Sequence, residues 1–281
     1  MTDSTDNNLA AGPAPSAASG PASGPTPELT AEKRPEVALF VTCLADLMRP
    51  SVARASLELL EAAGCTVTIP AHQSCCGQPG YNSGDYAGAV AIARQVIETF
   101  EPYPYTVLPS GSCAGMLVEH YPRLFDGEWR ERATRFAARV HELTSFLSDV
   151  CDYQPPATGS GAVAYHDSCA GLRELSVRDQ PRSLLRHAGV EVRELKQSEV
   201  CCGFGGTFCA KMPDLSAAMA DEKLKDLADS GADTLVGGDL GCLLALAGRA
   251  RRRDLPLHFR HVAEVLVQDA DTPPIGESPA S

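Results

Sequence analysis

Short apolar runs alternate along this chain with longer stretches in which apolar positions recur every three or four residues. Val37 to Val41 (VALFV), Cys65 to Ile69 (CTVTI) and Tyr105 to Leu108 (YTVL) read as strands. Between them, Val52, Ala55, Leu59 and Ala62 lie on one face of a helix that Pro50 opens and Gly64 closes. Tyr86, Val90, Ala93, Ile97 and Phe100 step by four, three, four and three, the spacing of a second buried stripe. A further helix is predicted around His141 to Ser148. The same order then returns. Ala162 to Tyr165 (AVAY) is a strand, a helix carrying Leu184 and Leu185 ends at Gly189, and Val190 to Leu195 (VEVREL) is the next strand. Leu215, Met219, Leu224 and Leu227 mark a helix that starts near Pro213, Thr234 to Val236 is a strand, and His261 to Gln268 closes the half as a helix. Strands that alternate with helices predict an α/β fold. Here it takes the form of two pseudo-symmetric repeats, each a small parallel sheet flanked by helices.

The cysteines repeat with the elements. Cys43 precedes Cys75-Cys76-Gly77 by 32 residues, Cys169 precedes Cys201-Cys202-Gly203 by the same 32, and the two sets are offset by 126. Cys113 completes the first set and Cys242 the second, each in a glycine-containing turn after a strand. Gly64 and Gly189 are 125 apart, although no ligand chemistry requires them, so the agreement speaks for a duplicated fold. Ligands of parallel sheets gather beyond the carboxyl ends of the strands, where Cys43, Cys113, Cys169 and Cys242 fall. The first cysteine-rich unit is expected at 36–151, a linker at 152–161 and the second unit at 162–268. The Ala-, Pro-, Ser- and Gly-rich segment 1–35 and the tail 269–281 are too poor in apolar residues to offset chain entropy, and both are expected to be disordered.

Four thiolates drawn from distant positions suit a soft metal or an iron–sulfur cluster. Adjacent cysteines in a strand point to opposite faces, and the glycine after each pair lets the chain turn so that both sulfurs meet one centre. Zinc sites usually take cysteines in Cys-x2-4-Cys knuckles, and neither set has a Cys-x2-Cys. Iron–sulfur is the favoured reading, with zinc and unmetallated thiols as the alternatives. Outside the sets, Cys65 reads as an ordinary buried cysteine, Cys151 as an incidental exposed thiol in a Pro-rich linker, and Cys209 as an extra ligand candidate. His72 and His166 each precede a ligand cysteine by three residues. His72 reads as a plain strand-end histidine, while His166 is equally a donor to a cluster sulfur. Gly203-Phe204-Gly205-Gly206 lacks the spacing of a phosphate loop, and no Ser-His-Asp or His-Glu-x-x-His pattern supports a hydrolase.

Composition narrows the partners. The chain has 281 residues, 44% apolar and 21% charged, and a net charge of −12. That acidity argues against nucleic acid, whose phosphates need clustered Lys and Arg. The one basic run, Arg249 with Arg251 to Arg253, suits a helix C-terminus. No apolar stretch reaches a membrane span, and the N-terminus lacks the form of a secretory signal. A reducing cytoplasm follows as the expected location, where eleven cysteines serve as ligands or redox groups better than as disulfides.

On these residues the chain resembles the tandem cysteine-rich CCG-domain proteins, which include the cysteine-rich subunit of heterodisulfide reductase and the iron–sulfur subunit of glycolate oxidase. It is most similar to the lactate-utilisation protein A family. Cys201-Cys202-Gly203-Phe204-Gly205-Gly206-Thr207-Phe208 and the helix from Met212 to Leu224 carry that likeness, which spans residues 36 to 268. The resemblance implies an iron–sulfur electron-transfer subunit of a nicotinamide-independent complex that oxidises L-lactate to pyruvate. It implies two partners from one operon, one of them a ferredoxin-like iron–sulfur protein. Carried over residue by residue, the ligands are Cys43, Cys75, Cys76 and Cys113 in one unit, and Cys169, Cys201, Cys202 and Cys242 in the other. One [4Fe-4S] cluster per unit is expected, hence one or two per chain. Met116 and Ala245 stand where the heterodisulfide relatives carry a fifth cysteine. That departure weakens the alternative of a thiol/disulfide redox subunit; a zinc-stabilised structural protein is the other alternative.

Overall fold

Among the described residues, eight short strands form two separate four-stranded sheets, every pairing parallel. The structure is a computed structural model that describes residues 34–277, so most of the N-terminal segment expected to be disordered lies outside the described residues. From Arg34 onward both repeats belong to one compact unit.

The first sheet comprises β1 (Glu36–Leu39), β2 (Thr66–Thr68), β3 (Tyr105–Leu108) and β4 (Val140–Glu142). The second comprises β5 (Ala162–His166), β6 (Glu191–Arg193), β7 (Thr234–Gly237) and β8 (His258–His261). Their orders are β2-β1-β3-β4 and β6-β5-β7-β8, one topology used twice. Register repeats as well: Val37 pairs with Val67, and Val163 with Val192. The order of strands reverses between β1 and β3 in one sheet and between β5 and β7 in the other. In open parallel sheets that reversal opens a crevice at the carboxyl ends.

The predicted helices are present at Pro50–Ala62, Tyr86–Phe100, Asp179–His187 and Pro213–Asp229. Gly64 and Gly189 close their helices at φ of +85° and +86°, a conformation that costs a residue with a Cβ far more than glycine. The Arg run caps the helix Leu240–Arg252, and Arg249 also pairs with Asp221 at 2.6 Å. One apolar core runs through both halves, joining Leu39, Val107 and Phe146 to Tyr165, Val236 and Val262.

Four expectations need correction. The segments around His141 and His261 are not simply helical: each opens with a strand, β4 and β8, too short and too polar for alternation to reveal. Cys113 and Cys242 sit in the first turns of the helices Gly111–Gly115 and Leu240–Arg252, not in free turns. The tail is ordered through Glu277. Asp269 accepts hydrogen bonds from the backbone and hydroxyl of Thr272, Pro273 accepts from Arg49 at 2.7 Å, and Ile275 is buried against the Phe259 strand. A single apolar side chain and borrowed hydrogen bonds thus anchor a segment whose composition alone suggests disorder. Cys151 is half-buried rather than a free surface thiol, and its sulfur lies 3.8 Å from that of Cys65, which is buried as expected.

A candidate metal centre in each half

Each cysteine of a set reaches its centre by a different route. Cys43 opens the helix Cys43–Met48 directly after β1, and Cys169 opens Cys169–Leu175 directly after β5. Cys113 and Cys242 come from the helices after β3 and β7, across the crevice. The pairs approach from the loops after β2 and β6, where Gly77 and Gly203 hold φ of +79° and +84°. Those left-handed glycines turn the chain directly after each pair.

In the first set the sulfurs of Cys43 and Cys75 are 3.9 Å apart, and those of Cys76 and Cys113 are 3.2 Å apart. Cys75 and Cys76 are neighbours as well, and Cys43 also feels the Cys113 thiol, so the four sulfurs gather in one place. All four cysteines line one cavity of about 240 Å³, walled on the far side by Phe204, Asp239 and Gly241 of the second half. In the second set the sulfurs of Cys202 and Cys242 lie within 4.8 Å of each other, and Cys169, Cys201 and Cys202 are close enough to shift one another's pKa. Cys76, Cys202 and Cys242 are buried, and the other five ligand candidates are half-buried.

The first cysteine of each pair is the acidic one. Cys75 is pulled down to about 2 by the thiols of Cys43 and Cys76, helped by the Gly77 N–H at 3.4 Å. Cys201 is likewise pulled down to about 2 by Cys169 and Cys202, with the Gly203 N–H at 3.3 Å. Their partners Cys43 and Cys169 are pushed up by the same pairings and by burial. Thiols that hold one another's protons release them when a cation takes their place, the protonation state that a soft-metal site requires.

The two centres are knit together. The Cys113 helix packs against the Cys169 helix so closely that a Cβ on Gly111 would lie 2.9 Å from the Gly171 Cα. Asp239, buried between the halves, accepts the Ser112 N–H at 2.8 Å, and burial raises its pKa. Further out, Arg49 and Glu264 form a buried ion pair at 2.7 Å between the halves, to which the Ser51 hydroxyl also donates.

Among the remaining candidates, the Cys209 thiol donates to the Gly206 carbonyl at 3.1 Å. His72 is exposed. His166 ends β5 at 1% exposure, and neither ring nitrogen has a hydrogen-bond partner. One of its nitrogens and the sulfurs of Cys202 and Cys242 all lie within 4.8 Å of one another. Burial, reinforced by the charge of Lys223, pushes its pKa down to about 3. Lys223 itself escaped the sequence reading. The buried face of its helix comprises Ala220, Lys223, Leu224, Asp226 and Leu227, rotated from the predicted stripe, and Leu215 is half exposed. A lysine in step with Ala220 and Leu227 was the available signal.

The sequence comparisons agree with this architecture. A family described as a cysteine-rich domain, CCG, matches twice, at residues 37–118 and 163–247. Lactate utilization protein A of Anoxybacillus flavithermus is 47% identical over 234 residues, covering 82% of this chain and 98% of the relative. The chain belongs to the lactate utilization protein A family. Its namesakes from Geobacillus kaustophilus and Exiguobacterium sp. are also 47% identical, covering 98% and 97% of their lengths. Among solved structures, a hypothetical protein from Helicobacter pylori shares the fold at a TM-score of 0.59 and 10% identity. The match covers 86% of this chain and 49% of that one, so the chain spans about half the length of the Helicobacter pylori protein. Among the described residues no helix is long and apolar enough to cross a membrane.

Proposed function

We propose that this member of the family is an iron–sulfur electron-transfer component of lactate utilisation, working in the cytoplasm within a nicotinamide-independent complex that converts L-lactate to pyruvate. Cys43, Cys75, Cys76 and Cys113 hold one [4Fe-4S] cluster, and Cys169, Cys201, Cys202 and Cys242 hold the other. The clusters supply one-electron transfer; the chain supplies thiolates, burial and hydrogen bonds to sulfur. The observation that carries this reading is the convergence of both quartets at the strand-reversal crevices of a chain whose relatives are named for lactate utilisation. Neither set contains the Cys-x2-Cys knuckle from which zinc sites usually draw their cysteines, which supports the iron–sulfur reading over zinc. Met116 is buried and apolar where a fifth cysteine would stand, which favours simple electron transfer over disulfide cleavage.

Partners take and deliver the electrons in this reading, namely a ferredoxin-like iron–sulfur protein and a third component of the complex. Exposed Leu47 and Ile69 line a cavity together with Cys43 and Cys75, as an electron-transfer contact would require. Protein purified without oxygen is expected to be brown, with iron and acid-labile sulfide in near-equal amounts and electron paramagnetic resonance signals on reduction. Colourless protein with stoichiometric zinc would overturn the redox assignment. Deleting the gene is expected to abolish growth on L-lactate, and unimpaired growth would overturn the metabolic one.

A further inference from the structure

The two halves differ directly beneath the sulfurs. His166 lies 126 residues after Phe40, the offset that relates β5 to β1. Phe40 is fully buried and stacks on Phe100 at 5.0 Å, so the first quartet rests on hydrocarbon. Lys223 has a counterpart too. Gly77 packs against Ala89 and Ile92, and Gly203 against Ser216 and Met219, which relates the two following helices by 127 residues. That relation pairs Lys223 with Val96, both all but inaccessible to solvent at 2% and 1%. The second quartet therefore rests on an imidazole and an ammonium where the first rests on a phenyl ring and an isopropyl group.

Neither replacement serves packing alone. A buried ring nitrogen without a partner is costly, so His166 needs an acceptor or a metal at its edge. The Cys202 and Cys242 sulfurs are the groups within reach. Lys223 donates to the carbonyls of Gln197 and Ser198, which fixes Nζ in place near the same centre, although burial lowers its pKa. Asp226 and Asp167 are nearby anions, but Asp226 accepts the N–H groups of Lys196 and Gln197, and Asp167 pairs with Arg182 at 2.8 Å. Hydrogen bonds to cluster sulfur and nearby positive charge both favour the reduced, more negative state of a cluster.

We propose that the two centres are tuned apart, the second holding an electron more strongly than the first because His166 and Lys223 line it. This rests on the iron–sulfur reading above. One electron then passes from the first cluster, which is oxidised, to the second, which is reduced, with no bond made or broken. The path is short: Cys113 and Cys169 each lie two residues from the contact between Gly111 and Gly171.

The test is a redox titration of the full-length, iron-loaded protein followed by electron paramagnetic resonance. Two one-electron midpoints are expected. His166→Phe and Lys223→Val, which copy residues of the first half, should each lower the higher midpoint and leave the lower one in place. A tenfold weakening of electron binding, about 59 mV for one electron, is the scale expected. His166→Gln and Lys223→Arg, which keep a donor and a charge, should restore much of the shift. They also serve as the informative variants if the apolar ones fail to fold. Iron-loaded wild type with coincident midpoints, or variants that leave the higher midpoint unmoved, would overturn the tuning alone. Wild type that binds no iron would overturn the cluster assignment and this inference with it.

Discussion

The two halves share strand order, register and the path by which each cysteine arrives, yet they differ in what surrounds the sulfur. The first quartet lines a cavity whose far wall belongs to the second half. The second lies near His166 and Lys223, two nitrogen-bearing side chains at positions that are hydrocarbon in the first. Features that bring thiols together recur at matched positions, namely the left-handed glycines after the pairs and the helices that open on Cys43 and Cys169. Features that set the electrostatics do not. A duplicated scaffold can thus keep its ligand geometry while the two sites diverge through residues that touch no metal.

The sharpest way to break this comparison is to remove one ligand from each half. Cys76→Ser and Cys202→Ser should each cost about half of the bound iron and one of the two resonance signals. Loss of all iron from either variant, measured after anaerobic loading, would show that the halves do not hold separate centres. The next largest effect is on the joint between them. Arg49→Ala leaves Glu264 buried without its partner, and breaking such a pair costs about 3–5 kcal/mol. Denaturant titration should show that loss, and a change under 1 kcal/mol would mean the pair does not hold the halves together.

Gly111→Ala probes the crossing of the two ligand helices. Its Cβ would sit 2.7 Å from the Ser168 Oγ and 2.9 Å from the Gly171 Cα, so backbone must move. Overpacking of this kind costs about 1–3 kcal/mol. Because Cys113 and Cys169 flank the contact, the resonance signals of both centres should broaden or shift together. A change confined to one would argue that the centres are mechanically independent.

The smallest effect contrasts the first turns that follow β4 and β8. Glu142 caps one by accepting the N–H groups of Thr144 and Ser145, whereas His261 caps the other by accepting from Ala263 and donating to Pro109. Burial raises Glu142 from 4.5 to about 7. The folded state therefore holds this proton more tightly than the unfolded chain does. Its contribution to stability is complete below about pH 4.5 and is lost as pH rises to about 7. Glu142→Gln should flatten the fall in melting temperature across that window, and an unchanged slope would assign the dependence to other groups.

Much of this was legible beforehand for identifiable reasons. The helix Tyr86–Phe100 and the strand Tyr105–Leu108 stand at the predicted residues because period and punctuation agree there, although Tyr86 is exposed and Ala89 and Val96 join Ala93, Ile97 and Phe100 on the buried face. The edge strands β4 and β8 were not legible, since three or four residues with charged or histidine side chains carry no alternation. Nor was the ordered tail: Ile275 is one apolar residue among Pro, Thr and Asp, and only the groove beside Phe259 makes it an anchor.

Local chemistry written along the chain was enough to establish the duplication and the α/β class and to single out eight thiols as candidates, because glycine conformation, helical period and cysteine spacing act over a few residues or repeat at one offset. Tertiary structure alone decided that the first crevice takes a wall from the second half, that Asp239 serves both halves, and that His166 and Lys223 lie near the second set. Those facts depend on which distant side chains are desolvated together. Burial of that kind belongs to the packed molecule and leaves no periodic mark in the order of its residues.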